Sequence, residues 1–110
     1  MELIWSQLAS KHLLEVAQYV EENFGSRVAE KKVDMIIKRM NRQVLFPESG
    51  VFDHEYSSEG FSVHHINLYP NVIYYMLEDE HLVVMAIFHC KQSQATMRSA
   101  LKRFIESYKR

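Results

Sequence analysis

The chain is poor in the residues that punctuate structure: three glycines, two prolines and one cysteine in 110 residues. So few turn formers exclude a collagen-like or low-complexity chain. Gly25, Gly50 and Gly60 are far apart, which excludes a glycine-rich loop cradling phosphate. A lone Cys90 cannot form an internal disulfide and fits a reducing, cytoplasmic setting. No apolar run approaches the ~18–20 residues that cross a bilayer. Met1–Ser6 lacks the basic-then-apolar pattern of a secretory signal. No pair of histidines, or of histidine and Cys90, has a recognised metal spacing, so neither metal nor cofactor is expected.

What is present describes one globular domain over residues 1–110. Hydrophobic residues make up 47% and charged residues 25%, enough for one core and too apolar for disorder. The net charge is only −1, yet it is unevenly spread. From Lys91 onward, Lys91, Arg98, Lys102, Arg103, Lys109 and Arg110 face Glu106 alone. The 27–46 segment is also basic, while Glu21-Glu22 and Glu78-Asp79-Glu80 are acidic. Such a dipolar surface suits an acidic partner or a phosphate backbone, although a solvated helix face is the commoner role for such charges.

Hydrophobic periodicity sets the element order. Glu2–Trp5 reads as a short strand. Ser6 is a good N-cap for a helix whose apolar face is Ala9, Leu13, Val16, Ala17, Val20 and Phe24. Gly25 is expected to close that helix in a left-handed conformation and Ser26 to cap the next. The second helix carries Ala29, Val33, Ile36, Met40 and Val44, and Pro47 stops it. So short a linker makes the two an antiparallel hairpin. Glu48–Gly60 reads as a loop with one strand turn at Val51–Phe52, and Phe61–Leu68 as an alternating strand. Asn71–Glu78 and His81–His89, joined at Asp79-Glu80, form a hairpin whose last strand is apolar almost throughout, as in the middle of a sheet. Gln94–Lys109 returns to helical spacing through Met97, Leu101, Phe104 and Tyr108. The fold class is α+β: a short N-terminal strand at or near a sheet edge, a helical hairpin packed on an antiparallel sheet, and a C-terminal helix.

Several side chains on these elements are proton-active. His89 reads as a general acid or base, or as a strand-end histidine bonded to a loop. Lys91 shares its side if the strand continues. His64 and His65 point to opposite faces and cannot chelate one ion as neighbours. Tyr74 and Tyr75 also alternate, one in the core and the other free to stack on a base or lie under a partner. A catalytic Cys90 is disfavoured, because His89 points the other way in a strand.

The ordered set resembles the RelE/ParE superfamily of bacterial toxins from type II toxin–antitoxin pairs. The resemblance runs over residues 2–93. It is carried by Ile4-Trp5-Ser6 before Ala9, Leu13, Ala17 and Tyr19-Val20, then Gly25 with Ala29, Phe46-Pro47 with Gly50, Val72-Ile73-Tyr74-Tyr75, and Val83–His89. The long helical hairpin is more similar to the ParE branch. The resemblance implies a growth-inhibiting toxin that binds a protein target, DNA gyrase, and is neutralised by a cognate antitoxin, alone or within a homodimer or hetero-oligomer. The RelE branch implies a ribosome-dependent mRNA endonuclease instead, for which His89, Lys91 and Tyr75 are the candidate catalytic residues; a non-toxic binding module of the same fold is the third reading. Two departures point away from RNA cleavage. Phe61–His65 lacks the arginine that members carry after the Pro/Gly loop, and Cys90-Lys91-Gln92 stands where many carry arginines. Arg27, Lys31, Lys38 and Arg42 on the second helix, with Arg98, Lys102 and Arg103 on the last, are the candidate target- or antitoxin-binding residues.

Overall fold

The computed structural model describes residues 1–108; the expected contributions of Lys109 and Arg110 lie outside the described residues. The chain runs β1 (Glu2–Trp5), α1 (Gln7–Phe24), α2 (Ser26–Gln43), β2 (Val51–Phe52), β3 (Ser62–Leu68), β4 (Asn71–Glu78), β5 (His81–His89) and α3 (Gln94–Tyr108). Short 3-10 turns at Pro47–Ser49 and His54–Tyr56 flank β2. The sheet order is β1-β5-β4-β3-β2. The β4–β5 hairpin is therefore internal and β1 is an edge, as the sequence indicates. One pairing differs from an all-antiparallel sheet. β1 runs parallel to β5, because the rest of the fold intervenes between them.

The apolar content of β5 follows from its position. Leu82 through Phe88 are all buried, since both faces of the sheet are covered. The α1–α2 hairpin packs Ala9, Ile36 and Met40 on a face made by Ile66, Ile73, Tyr75, Leu82, Val84 and Ile87. α3 packs Met97 and Leu101 on the other face, against Val63, Met76, Val83, Met85 and Phe88. Each aliphatic side chain removed from water in this way contributes ~1.5–3 kcal/mol before chain entropy is counted.

A bulge divides β5. Tyr74 pairs with Ala86 and Tyr75 with Val84, so Met85 is an extra residue. Before it Leu82 and Val84 face the hairpin; after it Ala86 and Phe88 face α3 and Ile87 faces the hairpin. The bulge is tied to the start of α1. The Ser6 hydroxyl accepts from Ala9 N at 3.0 Å and donates to Met85 O at 3.0 Å.

Gly25 links the helices with φ 93° and ψ 166°, a positive φ with an extended ψ rather than the left-handed helical conformation expected. Its N–H donates to Glu21 O and its carbonyl accepts from Ala29 N. Ser26 does not cap α2. It is already helical, and its hydroxyl donates to Glu21 Oε2 at 3.1 Å. Phe24 departs from the apolar stripe of α1: it is 65% exposed at the tip of the hairpin.

Candidate functional site

The three residues suggested for proton transfer do not converge. Tyr75 is fully buried, and its hydroxyl joins α2 to the following loop. It donates to Pro47 O at 2.6 Å and accepts from Gln43 Nε2 at 3.0 Å and Gly50 N at 3.2 Å. Burial raises its pKa, which keeps it neutral. Tyr75 pairs with Val84 whereas His89 pairs with Asn71, four strand positions away, or roughly 13 Å. Tyr74 is buried as well, against Tyr56, His65 and Phe88. Burial, followed by the Asp53 carboxylate, pushes its pKa up to about 12. Neither tyrosine is free to stack on a base.

β5 ends at His89 and the chain turns, so Lys91 does not continue its face. The His89 N–H donates to Gln92 Oε1 at 2.8 Å, and His89 Nδ1 accepts from Lys91 N at 3.1 Å. With Nδ1 accepting, the neutral ring carries its proton on Nε2. His64 and His65 do lie on opposite faces. His64 stacks on Tyr75 at 5.3 Å, with Nε2 3.0 Å from Ser62 Oγ. His65 Nδ1 sits 2.8 and 3.0 Å from the two oxygens of Asp53. No three metal-ligating side chains converge among the described residues. Among these residues, no helix is long and apolar enough to cross a membrane.

The basic residues divide between two faces. On α2, Lys31, Lys38 and Arg42 line a shallow depression with Arg39, Met35 and Leu68. Asp34 lies in it and pairs with Lys38 at 2.9 Å. Arg27 is outside it. On α3, Arg98 Nε donates to Glu55 Oε2 at 2.8 Å, Lys102 Nζ lies 3.9 Å from the same oxygen, and Arg103 donates to Ser99. Since the hairpin and α3 lie on opposite sides of the sheet, these groups do not form one surface, and the single Glu55 carboxylate faces both Arg98 and Lys102.

His89 and Lys91 instead edge a groove of about 520 Å³ between the hairpin tip and the open ends of β4 and β5. Val16, Val20, Phe24, Val28 and Ile87 make it apolar. Three of its polar residues were not singled out by the sequence. His12 is one turn along α1 from Leu8, and its Nδ1 accepts from Ile87 N at 3.0 Å. Burial lowers its pKa, with Glu15 raising it less and Lys11 lowering it slightly. Burial alone lowers that of Lys32. Asn71 is 5% exposed and donates to Phe88 O at 3.4 Å. A polar residue on the inner side of a helix stripe was the available signal for His12; Lys32 looks like an ordinary helix-surface lysine.

His12 makes stability depend on pH in a defined direction. Its folded pKa lies below its ordinary value of 6.5, so the unfolded chain binds the proton more readily. The contribution is complete above 6.5 and is lost as pH falls from there through the folded value. Urea midpoints are expected to drop between pH 6.5 and 5, and His12→Gln is expected to flatten that drop.

The family profile described as ParE toxin of type II toxin-antitoxin system, parDE, matches residues 3–94. Among solved structures, the chromosomal ParDE TA system from P. aeruginosa superposes with a TM-score of 0.65 at 18% identity. The match covers 81% of this chain and 95% of that one, a likeness of fold. No curated protein matches the chain. The family match ends where α3 begins.

Proposed function

The chain belongs to the ParE toxin family of type II toxin–antitoxin systems, and on that premise we propose that it inhibits growth by binding a protein target and is neutralised by a cognate antitoxin. By family resemblance the target is DNA gyrase. The observation that carries a binding mode over RNA cleavage is the disposition of Tyr75: buried, neutral and hydrogen-bonded to the loop after α2, well away from His89. Cleavage through the ribose 2′-hydroxyl needs a base, an acid and phosphate-binding cations within one site. His89 and Lys91 alone do not supply that set.

The antitoxin contact fits the α2 side, where Lys31, Lys38, Arg39 and Arg42 outnumber Asp34. An acidic segment there gains both steering and charge pairing. The Arg98 and Lys102 side chains of α3, already facing Glu55, fit that role less well.

Purified protein is expected to inhibit gyrase supercoiling of plasmid DNA at micromolar concentration, and the cognate antitoxin to restore it. Primer extension on translated messages is expected to show no new cleavage ends. Unimpaired supercoiling together with ends abolished by His89→Ala and Lys91→Ala would overturn the reading in favour of the endonuclease.

A further inference from the structure

We propose that the groove between the hairpin tip and the open ends of β4 and β5 binds an amphipathic monocarboxylate, with its apolar tail among Val16, Val20, Phe24 and Val28 and its carboxylate met by the donors that line the groove, Lys32 foremost. The proposal is independent of the toxin reading.

Size comes first. About 520 Å³ lies within the ~300–1,000 Å³ of small-molecule sites, which combine mostly apolar walls with a few placed polar groups. The polar groups here are largely donors. The His12 and His89 rings each accept a backbone N–H at Nδ1. In the neutral ring this leaves Nε2–H as a donor, and neither Nε2 has a hydrogen-bond partner among the described residues. Lys32 forms no ion pair with any described residue, although burial already penalises its charge. Lys91 adds a second cation at the rim. Against these stand Glu15 and the side-chain oxygens of Asn71 and Gln92, the latter already accepting from His89 N, while the Tyr19 hydroxyl can donate or accept. Two ammonium groups and two N–H donors still outweigh the one carboxylate among them.

The sign of the ligand follows from Lys32. A neutral apolar occupant would strip more water from an unpaired ammonium at a cost. A carboxylate removes that cost by supplying the missing partner, in a charge-assisted hydrogen bond. A cation would meet Lys32 and Lys91 with like charge. No glycine-rich phosphate loop lines the groove, so it does not offer that mode of nucleotide binding.

The test is calorimetry on the full chain with dodecanoate, dodecanol and dodecylamine, each below its micelle concentration. Dodecanoate is expected to bind about tenfold more tightly than dodecanol, as one charge-assisted contact implies. Lys32→Met keeps the stem and removes the charge. It should weaken dodecanoate about tenfold and leave dodecanol unchanged. Val20→Trp, which fills the groove, should abolish both. Equal affinity for all three probes, or no response to Lys32→Met in a folded variant, would overturn the proposal. So would self-association that dodecanoate does not compete with and Val20→Trp disrupts, since a second copy would then occupy the groove.

Discussion

Tyr75→Phe is expected to lower the unfolding free energy by about 2 kcal/mol, read from urea midpoints, because a buried hydroxyl with three partners is removed. The partners suffer unequally. Gln43 Nε2 keeps Ser49 Oγ at 2.8 Å and Phe46 O at 3.3 Å. Gly50 N and Pro47 O lose the hydroxyl that ties the end of α2 to the sheet. Gly50 is locked to the same hydroxyl. A Cβ there would lie 2.6 Å from Tyr75 Oη and 3.0 Å from His65 O, so Gly50→Ala is expected to cost ~1–3 kcal/mol through overpacking. In the Tyr75→Phe background the closer contact is gone, and Gly50→Ala should cost less than it does alone, a non-additivity expected of residues in contact. A stable Tyr75→Phe protein that loses its growth-inhibiting activity would show that the tyrosine acts in function and not in folding.

Leu101→Ala is expected to cost about 3 kcal/mol, since it empties a fully buried position beneath α3. Against a total stability of ~5–15 kcal/mol for a natural domain, that is a large fraction. The sheet face it uncovers, with Val63, Met76, Val83 and Met85, is wholly apolar. Hydrogen exchange should accelerate in α3 first and in β5 next. A neutral Leu101→Ala would mean that α3 is not docked on the sheet in solution. The family match ends at residue 94, so this variant also asks whether a segment beyond the matched region contributes to the stability of the domain.

The elements that the sequence made legible are those governed by local physics. α1 begins after Ser6 because a serine hydroxyl can satisfy a first-turn amide, and it does. β5 could be placed inside the sheet because an apolar strand needs cover on both faces. Non-local choices were hidden. The parallel partner of β1 lies across the whole fold, and the Met85 bulge reverses the facing of β5 partway along, so no simple alternation describes it. The candidate site was partly legible for a similar reason. Sequence can place His89 at a strand end but not Tyr75 under the loop after α2. The groove draws on α1, α2 and the ends of two strands, and Lys32 matters there only because tertiary packing places it in the groove with no ion pair to a described residue.

Only Cys90–Ser93 separates β5 from α3. α3 is thus a helix supplied to its own sheet face by a very short tether. For short flexible linkers the effective concentration is of millimolar order. A free helix seeking that face competes against a permanently delivered rival and must bind far more tightly than the face alone would demand. Selectivity between the two sides of the domain therefore needs no repulsive contact: partners of modest affinity are directed to the hairpin side by mass action.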